Sequence, residues 1–275
     1  MFRYIHLYRD PSTTKLDLSE VSEELTTFFP TCEFDVRAPF VQRSCENGQP
    51  LDMIAEMLVS ARISEIKSPY YDQTKRRAKP TIEETIYEKR LILSASLRPR
   101  PFVLYDGFIL QRLYGASMPS EETSGEHIHI IFDPRLACTF SEEDWRYHAR
   151  AIICGTPSII STTGIVEGPA KNKEFYLPET QFELMQPHKQ GSGRRQSASE
   201  FLGYDDSRIN SIAIGYILQA LFYFITEGYP FCHNKSCRLY NAHWQSDLLQ
   251  TQIKIKKLCK THLGMLARYQ SLFSN

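Results

Sequence analysis

Two spaced pairs of soft metal ligands near the C-terminus constrain this chain more than any other feature. Cys232-His-Asn-Lys-Ser-Cys237 is followed, after 21 intervening residues, by Cys259-Lys-Thr-His262. Three thiols and an imidazole in this layout suit a tetrahedral Zn2+ ion, with the thiolates as the strong ligands. One structural Zn2+ held by Cys232, Cys237, Cys259 and His262 would tie the tail together. His233 and His243 compete for the fourth position. His233 lies too close to Cys232 to complete a tetrahedron without strain, and only five residues separate His243 from Cys237, so His262 is preferred.

The rest of the composition is ordinary. A chain of 275 residues can bury a large core, and 42% hydrophobic with 23% charged residues is a soluble globular composition. The 32 Lys and Arg balance the 32 Asp and Glu, so the basic excess of a nucleic-acid binder is missing and a protein or peptide is the expected partner. Met1-Phe-Arg-Tyr-Ile-His-Leu-Tyr reads as a first strand and not as an apolar targeting segment. With three cysteines assigned to metal, Cys32, Cys45, Cys138 and Cys154 are expected as free thiols in a reducing cytoplasm. Ile209 to Thr226 is 18 residues without a charge, the lower limit for a membrane span. Asn210, Ser211 and Gln219 inside it, and the lack of a second apolar stretch to pack with, make it a buried core helix and leave no membrane role.

Periodicity predicts an α/β fold. Residues 2–8, 33–37, Phe102 to Tyr105 and His127 to Phe132 read as strands, and Ile152 to Thr163 as two short strands around a turn. Helices are expected from Glu20 to Phe29, capped by Ser19 and stopped by Pro30, from Pro50 to Ile63, and over 82–94. In the second of these, Met53, Ile54, Met57, Leu58 and Ala61 share a face that should pack into the core. Residues 64–81 form a polar loop whose Lys75-Arg76-Arg77-Ala78-Lys79 run is a solvated basic segment. His188 to Ser199 contains no apolar residue larger than Ala and cannot bury enough surface to stay ordered. The expected organisation is an N-terminal α/β region over 1–187, a flexible linker over 188–203 and a C-terminal segment over 204–275.

The long helix leads into Glu227-Gly228-Tyr-Pro-Phe231-Cys232, then Cys237-Arg-Leu239, then Cys259 and His262. This stretch, roughly residues 205–265, resembles the end of the archaemetzincin zinc metallopeptidases. Members of that family carry HExxH on a helix, a glycine turn, a third His, and a Cys directly after it. Another Cys, a Met and a final Cys-x-x-Cys pair follow. Three His hold their catalytic zinc and four Cys a structural one. The resemblance implies a metzincin-like mixed sheet with helices and a C-terminal zinc-stabilised subdomain. It places Gly228 in the turn, Cys232, Cys237 and Cys259 at structural ligands, His262 at the fourth Cys, and Leu239 at the Met. The catalytic positions fall on Leu221, Phe222, Ile225 and Phe231, which offer neither ligand nor general base. Ser158-Ile-Ile-Ser-Thr-Thr-Gly164-Ile-Val-Glu-Gly168-Pro-Ala and Asn241-Ala-His243-Trp244 also look like an uncharacterised archaeal family bearing a metallopeptidase label. The expected protein is therefore a metallopeptidase homologue with no catalytic residue at the usual site, acting as a zinc-stabilised scaffold or binding protein.

Two alternatives stay open. His127-Ile-His129 lies on a predicted strand, so both imidazoles share a face, and Glu126, Asp133 or His148 could complete a displaced hydrolytic metal site. Lys254, Lys256, Lys257 and Lys260 could serve a nucleic-acid or protein adaptor, although such lysines usually form a solvated face. Ser161-Thr162-Thr163-Gly164 followed by Gly168-Pro-Ala-Lys171 lacks Walker spacing and reads as a turn between strands. Asn241 to Trp244 reads as a packed turn with its indole and imidazole hydrogen-bonded.

Overall fold

A computed structural model describes residues 1–72, 79–94, 97–171 and 201–273. Strand β1 (Tyr4–Tyr8) connects through helix α1 (Leu18–Thr26) to a parallel neighbour, β2 (Glu33–Arg37). Helices α2 (Phe40–Glu46), α3 (Leu51–Ser60) and α4 (Ile82–Leu93) precede β3 (Leu104–Asp106) and α5 (Gly107–Ala116). The chain then returns to the other side of β1 as β4 (His127–Asp133). β5 (Leu136–Ser141), β6 (Arg146–Ala149), β7 (Ile152–Ile153), β8 (Ser158–Ser161) and α6 (Thr162–Glu167) follow. The main sheet runs β2-β1-β4-β8-β7, with an antiparallel edge at β7, and a second sheet runs β3-β5-β6. The fold is mixed α/β, as expected.

Period-two alternation divides the main sheet into unlike faces. Ile5, Leu7, Ile128, Ile130 and Phe132 point into the largest core. Opposite them, the register sets Tyr4 beside His127 and His6 beside His129. Against the apolar face lie α1, through Leu18, Val21 and Leu25, and α7 (Ile209–Ile225). Every residue from 212 to 222 of α7 is buried. A helix apolar all round has nothing to offer water and belongs at the centre of a core. No helix among the described residues is long and apolar enough to cross a membrane. After α7 come α8 (Gln245–Leu249), a π-helical stretch (Gln250–Ile255) and α9 (Lys260–Ser271). α9 is tied back to the start of the chain: Tyr269 donates to the Phe2 carbonyl (2.6 Å) and Gln270 to the Phe28 carbonyl (2.8 Å).

Several local expectations need correction. The α1 cap is Asp17, whose carboxylate accepts from the Ser19 and Glu20 amides, so the helix starts before Ser19. Along α3 the buried stripe is Ile54, Ala55, Leu58 and Val59, with Ala61 buried at its end, leaving Met53 exposed and Met57 partly buried. The turn at Ser161 opens helix α6, with Ser161 as its cap. The hydroxyls there are spent inside the protein: Thr162 donates to Asp10 (2.6 Å), Ser161 to the Arg135 carbonyl and Thr163 to the Pro134 carbonyl. His243 and Trp244 are exposed, and it is backbone that clips this turn down, from Ala170 to His243 and from Gln245 to Ala170. Residues 75–78 of the basic run and 188–200 of the expected linker lie outside the described residues. Leu202, at the end of that expected linker, is buried.

Candidate metal centre

Cys232, Cys237, Cys259 and His262 converge, their ligand atoms all within 4.8 Å of one another. Chain direction explains this. Helix α7 ends at Thr226, and Gly228 turns the chain with φ +106°, a conformation that Gly adopts without strain. The Cys232 amide then donates to the Leu239 carbonyl (2.8 Å), folding residues 232–239 into a knuckle that presents two thiols to one side. Cys259 stands at the cap of α9, so His262 projects from the first turn of that helix beside it.

The distances suit a tetrahedral ion. Zn–S bonds of about 2.3 Å and Zn–N bonds of about 2.0 Å imply sulfur–nitrogen edges of about 3.6 Å. His262 Nδ1 lies 3.7 Å from Cys237 Sγ and 3.1 Å from Cys259 Sγ. Backbone amides already point at two sulfurs, Asn234 at Cys232 (3.3 Å) and Cys259 at Cys237 (3.4 Å). Such donors offset thiolate charge. Burial pushes the Cys237 thiol up to about 12. Burial also opposes ionisation of Cys259, but hydrogen bonds from His262 and Cys237 outweigh it and bring that thiol down to about 6. Cys237 and His262 are buried while Cys232 and Cys259 are partly exposed, and His233 is exposed beside them. With four protein donors, the set has the closed coordination of a structural site.

The positions that the resemblance assigns to catalysis are packed. Leu221 and Phe222 are 0% exposed, Ile225 is partly exposed against the same core, and Phe231 is 40% exposed. The Phe222 ring meets the His262 imidazole edge-on, with centroids 5.5 Å apart, so the helix touches the metal ligands through an aromatic wall. Beside the cluster lies an open cleft of about 1710 Å³, whose walls include Tyr229, Phe231, Met265 and Leu272. Inside the core, Arg238 is 1% exposed and bonds Glu24, Gln252 and the Ser211 carbonyl, fixing the knuckle to α1 and α7. Nothing in the local sequence around Arg238 signals that role.

The strand histidines part company. His129 Nε2 donates to the Glu122 carbonyl (3.0 Å), and its Nδ1 accepts from the Tyr8 hydroxyl (3.0 Å). Burial lowers its pKa to about 4, so it stays neutral with both nitrogens engaged and offers no ligand atom. His148 sits in the second sheet, bonded to Asp144 (2.8 Å) and away from His127. Asp133 is consumed by Tyr114 and Arg135, and Glu126 is exposed. The residues actually beside His127 are His6 and Glu122, which no spacing in the sequence links to it. Burial also pushes the Cys154 thiol up to about 12, so it is no activated nucleophile.

A profile of a family described as "Probable metallopeptidase family (DUF6775)" matches residues 1–269, and the chain belongs to that family. No curated protein and no solved structure matches.

Proposed function

We propose that this member of a metallopeptidase family is an archaemetzincin-like relative whose central helix does no hydrolytic chemistry, and that it works as a zinc-stabilised binding protein. A single observation carries the reading: a complete set of three sulfurs and one imidazole abuts a helix whose catalytic positions are all apolar, with Leu221 and Phe222 fully buried. Metal-assisted hydrolysis needs three ligands, an open coordination position and a general base. Leu221, Phe222 and Ile225 supply none of these.

The metal at Cys232, Cys237, Cys259 and His262 is zinc in this reading, since three thiolates and a neutral imidazole match its preferences. A reducing cytoplasm keeps those sulfurs available. The neighbouring cleft, with Tyr229 80% and Leu272 58% exposed on its walls, suits an extended apolar peptide. The exposure of Lys254, Lys256, Lys257 and Lys260 supports the solvated-face reading of those lysines over an adaptor for nucleic acid.

The test is an assay of zinc-loaded protein on a denatured protein substrate. No cleavage is expected. Cleavage abolished by Leu221→Ala or Ile225→Ala, in variants that remain folded, would overturn the proposal.

A further inference from the structure

The polar face of the main sheet carries a second convergence of ligands. His6 Nε2 lies 2.9 Å from His127 Nδ1, and a Glu122 carboxylate oxygen completes a group whose three donor atoms are all within 4.8 Å of one another. The two imidazoles stack at 5.2 Å with an interplanar angle of 15°, aiming ring nitrogens into one space. Behind His6, Asp35 accepts from Nδ1 at 2.6 Å. That bond fixes the tautomer, so the Nε2 lone pair faces His127. A carboxylate holding the far nitrogen of an imidazole in this way is the usual outer support of a metal-ligating histidine.

We propose that His6, His127 and Glu122 form a second cation site, for a divalent transition ion such as Zn2+ or Co2+, with Asp35 as its positioning residue. Two imidazoles and one carboxylate are a borderline donor set, and three protein ligands leave a coordination position open for water, unlike the closed cysteine cluster. The geometry is close to what binding needs. Metal–nitrogen and metal–oxygen bonds of about 2.0–2.2 Å separate neighbouring donors by about 3.0–3.5 Å. The imidazole nitrogens need spread only slightly from 2.9 Å, and the carboxylate, already within 4.8 Å of both, must close by at most about 1.8 Å.

Local charge favours the cation. Asp35 and Glu122 contribute two negative charges, Arg37 one positive, and His6 and His127 are neutral as ligands. Arg37 holds both Glu122 oxygens, at 2.6 and 2.8 Å, but an ionised carboxylate has about four lone-pair positions, and two are left for a metal. In the bond between the two histidines, Nδ1–H of His127 donates to Nε2 of His6. On binding, that proton moves to His127 Nε2, so both facing nitrogens present lone pairs without a change in total charge. His129 cannot substitute, because both its nitrogens are engaged.

The site goes beyond the binding role argued for the C-terminal cluster, and the experiment separates the two. Chelator-stripped full-length protein is reloaded with Co2+, dialysed and counted by plasma mass spectrometry, with the visible spectrum recorded. Two ions per chain are expected, one giving the intense sulfur-to-cobalt bands of the cysteine cluster. His127→Ala should retain those bands and drop the count to one. Glu122→Gln, at a ligand on a different element, guards against a folding defect in the histidine variant and should also drop it. Asp35→Asn, with every ligand intact, should weaken the second ion by about 10–100-fold. One ion in the wild type, or two that persist in both His127→Ala and Glu122→Gln, would overturn the proposal. Loss of the sulfur bands in Cys237→Ala with one ion retained is the outcome expected of two independent sites, whereas unchanged sulfur bands in that variant would fail the cysteine assignment and leave the second site standing.

Discussion

Phe222→Glu, which writes back the acid that the peptidase pattern places on this helix, should unfold the protein. Phe222 is 0% exposed and packed in the main core against His262. Removing a fully buried aromatic costs about 3–5 kcal/mol in lost transfer energy and residual cavity. The incoming carboxylate would lie within the apolar core, against an imidazole edge. Leaving it ionised there adds several kcal/mol, and neutralising it instead costs about 1.4 kcal/mol for every unit its pKa must rise. The sum, about 5–10 kcal/mol, is comparable with the entire stability of a typical domain, about 5–15 kcal/mol. Phe231→His makes the matching control, since Phe231 is 40% exposed and should move stability by only about 1 kcal/mol. Urea denaturation followed by near-ultraviolet circular dichroism reads both variants. A cooperatively folded Phe222→Glu protein with an unshifted midpoint would mean that this side of α7 is hydrated, and the claim of a filled catalytic position would fall.

Three further perturbations probe the rest of the structure. Cys237→Ser should release the metal and collapse the segment after residue 230, since such clusters supply about 10–16 kcal/mol in small zinc peptides; retained stoichiometric zinc with an unchanged melting curve would refute the assignment. Glu88 is 0% exposed and accepts from Arg62, Arg135 and Tyr105; burial opposes its ionisation, but the two guanidiniums outweigh that and lower its pKa. Its contribution is therefore complete above the unfolded carboxyl pKa, about 4.3, and is lost as pH falls through the lower folded value, so Glu88→Gln should cost about 3–5 kcal/mol at pH 7 and flatten the acid limb of the stability curve. Gly215→Ala should cost about 1–3 kcal/mol by equilibrium unfolding, because the added methyl would stand 1.8 Å from the Gln252 carbonyl oxygen that accepts from Arg238.

Legibility in the sequence followed the range of the interactions. Strand β2 was readable to the residue, and α7 was readable as a core helix, because alternation and an uncharged run are local signals. The cysteine cluster was readable because metal chemistry restricts spacing. What failed to show was anything set by partners far along the chain. His6 and His127 are 121 residues apart, and only the pairing of β1 with β4 brings them together. Glu122 sits on a short 3-10 turn, Ser120–Glu122, without periodicity of its own. His-Ile-His on a strand correctly suggested a shared face, yet burial and two hydrogen bonds removed His129 from use while leaving His127 available. The triad of Arg62, Glu88 and Arg135 is equally silent, since an acid amid the polar residues of α4 looks like any solvated helix position.

An intact metal cluster beside an apolar helix is physically consistent, because the two parts solve different problems. Residues 212–222 bury themselves without help: the main sheet, α1 and the π-helical stretch surround them, and burial of each large side chain contributes about 1.5–3 kcal/mol. The knuckle has such a resource only at its far end, where Cys237, Arg238 and Leu239 are buried. Residues 233–236 are exposed, and the turn is held by a few backbone bonds, such as Cys232 to Leu239 and Cys237 to Asn234. Ordering those residues costs about 1–2 kcal/mol each in backbone entropy, more than their contacts return. An ion cross-linking the knuckle to the start of α9 would supply the deficit at the point where packing ends. Filling the interior of α7 and keeping sulfur at its exit are thus complementary, and neither requires a catalytic metal on that helix.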